Sequence, residues 1–143
     1  MVALVLVGHS AELLSGLRAM LSQAAPTVPV GVAGGTDGGA LGTSAPIILA
    51  AVRAVLAEAP DGAVVLLDLG SAALALEMAL GDLGPADRAR VRVSRGALVE
   101  GAVRAAVEAA GGASLAAVLA ASQMPPGRDK LPDDWPASGA APG

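Results

Sequence analysis

The chain has 143 residues with 9 basic and 13 acidic side chains, a formal net charge of −4, a single histidine and no cysteine, which suits one domain with a real core. Without cysteine there is no thiol catalysis, disulfide or thiolate metal site, and with aromatic rings almost absent and the charge balance acidic, nucleic acid finds neither a basic groove nor a stacking platform. No stretch reaches the roughly 20 unbroken apolar residues of a membrane span, because Arg18, Arg53, Glu58, Asp68, Glu77 and Arg104 interrupt every candidate.

The run Val2-Ala3-Leu4-Val5-Leu6-Val7 reads as a buried strand. No basic segment precedes it, so no signal peptide is expected and the expected location is the cytoplasm. Gly8-His9-Ser10 ends the run, and residues 11–23 read as a helix with Ser10 as N-cap and Leu13, Leu14, Leu17, Met20 and Leu21 on its apolar face. Val28–Ala33 reads as a second strand, followed by the glycine-rich loop from Gly34 to Thr43. Ser44 caps a helix with Pro46 in its first turn and an apolar stripe of Ile47, Ile48, Ala51, Val52, Val55 and Leu56. Ala63–Leu67 is a third strand, which runs into Asp68-Leu69-Gly70-Ser71 and an alanine-rich helix over 72–83. Val91–Val93 is a short fourth strand, and Leu98–Ala110 and Leu115–Ala121 are the last helices. Residues 123–143 are rich in proline and glycine and lack periodicity, which predicts a disordered tail after a domain over 1–122.

Alternating strands and helices of these lengths predict an α/β fold: a doubly wound, mainly parallel sheet with helices on both faces. Right-handed crossovers give such a sheet the flavodoxin-like order 2-1-3-4, with the ends of strands 1 and 3 side by side at the switch point. That order brings Asp68 next to His9. The loop after strand 2 leaves the same edge, so Gly35, Thr36, Gly42, Thr43 and Ser44 can offer backbone N–H groups and hydroxyls to an anion in the same crevice. The loop is neither a Walker A loop, since no lysine precedes Thr43 or Ser44, nor a GxGxxG motif.

A histidine at a strand end beside a helix N-terminus suits a reversible phosphohistidine, because the helix terminus welcomes the phosphate dianion. Asp68, by accepting a hydrogen bond from one ring nitrogen, would fix the tautomer and leave the other nitrogen exposed.

His9-Ser10, Gly35-Thr36-Asp37 with Gly42-Thr43, Leu67-Asp68-Leu69-Gly70-Ser71-Ala72 and Leu98-Val99-Glu100-Gly101-Ala102 together resemble the phosphotransferase subunit of the bacterial phosphoenolpyruvate-dependent dihydroxyacetone kinase. Its wider relatives are the mannose-type IIA domains of the sugar phosphotransferase system. The resemblance covers about residues 1–122. It implies that His9 receives a phosphoryl group from the histidine-containing phosphocarrier protein, itself charged through enzyme I from phosphoenolpyruvate. His9 then passes the group to ADP bound on the nucleotide-binding kinase subunit, with dihydroxyacetone on a third subunit as final acceptor. It further implies that Asp68 orients His9, that Gly42, Thr43 and Ser71 line the phosphate pocket, that the subunit binds no metal or tight cofactor of its own, and that it forms a homodimer.

The chain departs from the family's pattern at Gly8, where relatives often carry a small hydroxyl residue. It also ends in the proline- and glycine-rich segment, where some relatives continue into further domains. Two rival readings stand beside the donor subunit: a mannose-type IIA component serving sugar uptake, and a non-enzymatic module that binds a nucleotide or phosphometabolite in the glycine-rich crevice. A flavin site is disfavoured because the one aromatic residue, Trp135, lies in the tail.

Overall fold

The computed structural model describes residues 1–125 and 130–137. Four parallel strands form one sheet in the order β2-β1-β3-β4, the doubly wound arrangement that the alternating pattern predicts. The strands are β1 (Ala3–Gly8), β2 (Val30–Gly34), β3 (Ala63–Leu67) and β4 (Val91–Val93). The helices are α1 (Ala11–Ala24), α2 (Ala45–Glu58), α3 (Ala73–Gly81), the single turn α4 (Pro85–Arg88), α5 (Leu98–Ala110) and α6 (Leu115–Gln123).

β1 lies between two strands, so its side chains alternate between two covered faces, and Val2 through Val7 are fully buried. Ala3, Val5 and Val7 pack with α2 and α3, through Ile48, Val52, Leu76 and Leu80 among others. Val2, Leu4 and Leu6 pack with α1, α5 and α6, through Leu14, Leu17, Leu21, Ala102, Ala105 and Val118. Burying each Val or Leu side chain contributes on the order of 1.5–3 kcal/mol, which makes this continuous run the main anchor of the sheet.

Several boundaries move for identifiable reasons. The second strand begins at Val30, because Pro29 has no N–H for the ladder and offers only its carbonyl, which accepts from Leu4 N–H at 3.0 Å. The helix expected over 72–83 divides into a 3₁₀ turn, Gly70–Ala72, and α3. α4, opened by Pro85, is an element that the sequence pattern did not announce. In α1, Leu14, Leu17 and Leu21 are buried, but Leu13 and Met20 are 51% and 56% exposed, against the expectation that all five form the core face. Each lies one residue from a buried leucine, roughly 100° round the helix axis, on a flank that none of the described elements covers. α6 continues to Gln123, two residues past the expected end.

Of the tail, residues 126–129 and 138–143 lie outside the described residues, so the expectation of a disordered segment is not tested there. Residues 124–125 and 130–137 contain no helix or strand. Lys130 pairs with Glu100 at 3.0 Å, and the Trp135 N–H donates to the Pro132 carbonyl at 3.0 Å. Among the described residues no helix is long and apolar enough to cross a membrane.

Candidate functional site

The register of the two central strands builds the site. Val7 of β1 lies opposite Leu67 of β3, and the Asp68 N–H extends the ladder by donating to the Val7 carbonyl at 3.1 Å. Asp68 therefore leaves β3 level with Gly8, and its carboxylate folds into the space beside that glycine. A Cβ at Gly8 would lie 2.6 Å from both Asp68 Cγ and Oδ2. Any side chain there would displace the carboxylate from its present position. Gly8 is thus the residue that lets Asp68 approach, a role the sequence did not disclose.

Asp68 grips His9 twice. The His9 backbone N–H donates to Oδ2 at 2.9 Å, and ring Nδ1 lies 3.1 Å from both carboxylate oxygens. The Leu69 N–H adds a third bond, to Oδ1 at 2.6 Å. Burial pushes the Asp68 carboxyl up, but the hydrogen bonds from the His9 N–H, the His9 ring and the Leu69 N–H, with the attraction of the His9 ring, outweigh it and hold the group below its ordinary value. An ionised carboxylate only accepts, so Nδ1 must carry a proton, and in the neutral ring Nε2 keeps the lone pair. Nε2 faces the Ser71 hydroxyl at 3.1 Å, from the 3₁₀ turn that follows β3. The His9 side chain is 29% exposed and that of Asp68 is 9% exposed, so the ring reaches solvent while its partner is largely covered.

Ser10, next in sequence, caps α1 as expected, its hydroxyl accepting from the Leu13 N–H at 3.2 Å. The end of β1, the start of α1 and the end of β3 therefore converge at His9, and the structure brings His9, Asp68 and Ser71 together.

The glycine-rich loop lies against this corner, but its polar groups are differently engaged. The Gly42 N–H donates to the His9 carbonyl at 3.0 Å, and the Thr36 N–H to the Ala40 carbonyl at 2.9 Å. Neither amide points free into the crevice in this conformation. The Thr36 hydroxyl also donates to the Ala40 carbonyl, at 3.4 Å, and Ser44 caps α2 while its hydroxyl donates to Asp37 at 3.5 Å. The Thr43 hydroxyl has no hydrogen-bond partner among the described residues. Gly35 and Gly42 have φ values of +80° and +141°, where a side chain is strained, so glycine is required for this loop path. Among the described residues no three His, Cys, Asp or Glu side chains come together to hold a metal ion.

Two open crevices lie on the β4 side, and only the nearer reaches the corner, at Asp68. The nearer, about 470 Å³, is walled by Asp68, Leu69, Gly70, Val93 and Arg95, and the larger, about 850 Å³, continues between α3, α4 and β4. Arg95 borders both, and sequence reasoning passed over it. Its only local signal was its place two residues after β4, at the same end of the sheet as Asp68.

Residues 3–119 match the family described as PTS system fructose IIA component. The chain belongs to that family. Among curated members, the phosphoryl donor subunit DhaM of the PEP-dependent dihydroxyacetone kinase from Escherichia coli (strain K12) is 37% identical over 123 residues, covering 83% of this chain and 26% of that protein. The DhaM subunit of PEP-dependent dihydroxyacetone kinase 2 from Listeria innocua serovar 6a is 33% identical over 120 residues, covering 83% of this chain and 94% of that one. This IIA-family chain is therefore of the DhaM type. It spans about a quarter of the length of the Escherichia coli and Klebsiella michiganensis relatives, and nearly all of the Listeria one. The crystal structure of the unknown-function protein EF1359 has the same fold, with a TM-score of 0.74 at 29% identity over 86% of this chain and 94% of that chain.

Proposed function

We propose that the chain is a phosphocarrier that works through His9. Nε2 takes a phosphoryl group from the phosphohistidine of the histidine-containing phosphocarrier protein and passes it to ADP held by the nucleotide-binding subunit of dihydroxyacetone kinase, in the cytoplasm. The observation that carries this reading is the fixed ring: Nδ1 is tied to an ionised Asp68 at 3.1 Å, so the nucleophilic lone pair is directed at Nε2, on the side of solvent and Ser71.

In the first transfer the Nε2 lone pair attacks phosphorus, the donor's P–N bond breaks, and its electron pair returns to the donor ring. In the second, an oxygen of the ADP terminal phosphate attacks, the His9 P–N bond breaks, and the pair returns to Nε2. Asp68 aims the ring and offsets the positive charge that the ring acquires while phosphorylated. Ser71 can turn its O–H from Nε2 to a phosphoryl oxygen. Gly35, Thr36, Gly42 and Thr43 complete the phosphate pocket, the Thr43 hydroxyl directly and the Thr36 and Gly42 amides once the loop releases the Ala40 and His9 carbonyls. Catalysis in this reading is positioning and electrostatic stabilisation, with no metal or tightly bound cofactor on this chain, and a second copy completes a homodimer.

The test is intact-protein mass after incubation with phosphoenolpyruvate, enzyme I and the phosphocarrier protein, followed by the ADP-loaded kinase subunit. One acid-labile phosphoryl group on the wild type, absent from His9→Ala and discharged by the kinase subunit, is expected. An unmodified wild type overturns the reading. The family's description as a sugar-system IIA component favours one second reading, transfer to a IIB protein for sugar uptake. A phosphoryl group that the kinase subunit leaves in place supports it.

A further inference from the structure

Phosphoryl discharge gathers negative charge. A phosphorylated His9 beside ionised Asp68 must meet an acceptor whose own terminal group is a phosphate, whereas loading brings the phosphoryl group to an uncharged ring. A cation near the crevice therefore matters more to discharge than to loading.

Most cations of the described chain are committed elsewhere. Arg53, Arg88, Arg90, Arg92 and Arg104 donate to backbone carbonyls, and Lys130 pairs with Glu100. The side chains of Arg18 and Arg95 make no hydrogen bond or ion pair with any described residue. Arg18 borders a hollow with Ser15, Ser22, Val28 and Val30, beside the start of β2 and toward the end of the sheet away from His9. Arg95 borders the crevice that contains Asp68, Leu69 and Gly70.

The backbone that carries Arg95 is held firmly. Its N–H donates to Gln123 Oε1 at 2.9 Å, and the Gly96 N–H donates to the Ser94 hydroxyl at 3.0 Å. The Ser94 and Ser122 hydroxyls, both buried, hydrogen-bond at 2.7 Å and lock this loop to the end of α6. Gly96 and Gly101 allow the contact, since a Cβ at either would collide with the Ser122 carbonyl. Arg95 is not the counter-ion of Asp68, whose two oxygens are occupied by the His9 N–H, the His9 ring and the Leu69 N–H. A guanidinium without a partner among the described residues, on a fixed backbone at the rim of the crevice, is suited to a planar, two-bond grip on a phosphate.

Resting on the phosphoryl-donor reading, we infer that Arg95 is a specificity-determining residue that grips a phosphate of the nucleoside diphosphate acceptor in the crevice beside Asp68 as His9 discharges. Wild type, Arg95→Ala, Arg95→Lys and Arg18→Ala are to be phosphorylated and then discharged at increasing concentrations of ADP-loaded kinase subunit. The binding of each chain to the nucleotide-free subunit is measured in parallel. Arg95→Ala is expected to load at the wild-type rate but to need about 10- to 100-fold more acceptor for half-maximal discharge, the scale of a lost charge-assisted contact. Arg95→Lys should recover part of the loss, and Arg18→Ala should match wild type.

Discharge of Arg95→Ala at the wild-type concentration dependence overturns the inference, as does an equal loss in loading. An equal weakening of docking to the nucleotide-free subunit also overturns it, by showing that the cation reads carboxylates of the partner protein. These outcomes leave the donor reading standing, whereas a wild type that takes no phosphoryl group overturns both.

Discussion

The corner at His9 and the loop that lies against it are built on opposite principles. At the corner, bonds of 2.6–3.1 Å from three donor groups of two residues, His9 and Leu69, converge on one carboxylate, and the ring has no freedom to turn without breaking one of them. The loop over residues 35–43 bonds mainly to itself, at the Ala40 and Thr36 carbonyls, and touches the corner through the Gly42 N–H. A nucleophile must be aimed before its substrate arrives, while the groups that enclose a transferred phosphate must admit it and let it leave. The difference teaches that rigidity here is spent on the attacking atom and adaptability on the walls around it.

The largest expected effect lies at the corner. His9→Ala should abolish phosphoryl uptake by mass and leave the thermal melt close to wild type, because the ring is partly exposed and belongs to neither core cluster. Asp68→Asn should fold but slow uptake on the order of 10–100-fold, the range for a residue that orients a reacting ligand. That variant also sharpens the electrostatic side of the comparison. The Asp68 carboxyl lies below its ordinary value of 3.8, so it contributes stability that is present above that value and is lost as pH falls through the folded-state value. The gap between the urea midpoints of wild type and Asp68→Asn should therefore be widest above pH 3.8 and close on acidification.

Next comes a paired glycine test. Gly8→Ala puts a methyl 2.6 Å from the Asp68 carboxyl carbon. It should cost about 1–3 kcal/mol in denaturant unfolding and slow uptake about tenfold, the overpacking cost and its consequence for the ring. Gly39→Ala enters open space at a φ of +81°. It should cost about 1 kcal/mol of backbone strain with little change in rate. Equal rate losses from the two would erase the distinction between corner and loop. The smallest effect belongs to Ser71→Ala, which removes one hydrogen bond to Nε2 and should slow uptake a few-fold, about threefold to tenfold. A larger loss in stopped transfer assays would make its bond to the phosphoryl oxygen, and not its bond to Nε2, the main contribution of Ser71.

Much of the frame is legible in the residues. The run Val2–Val7 reads as a buried strand, and the lone histidine at its end, with Asp68 at the end of the third strand, marks the switch point once the order 2-1-3-4 is assumed. Local chemistry also identified the N-caps Ser10 and Ser44, though not Ser114, which caps α6. Helix periodicity went wrong at Leu13 and Met20, because a period tells which residues share an arc and not how wide an arc the neighbours cover. The amides of Thr36 and Gly42 were expected to be available to an anion, but a loop's own turn bonds are invisible in composition.

The sequence by itself determined the strand and helix alternation, the parallel class of sheet and the identity of the one imidazole, because periodicity, breakers and side-chain chemistry are local properties. Tertiary structure decided that Gly8 leaves the space that the Asp68 carboxylate fills, that Nδ1 and not Nε2 meets the carboxylate, and that Arg95 borders the crevice that Asp68 lines, its guanidinium unpaired among the described residues. Each of these depends on the distance between residues far apart in the chain. Such distances are set by the register of β1, β3 and β4 and by the locking of the 94–96 loop to α6, which no local window contains.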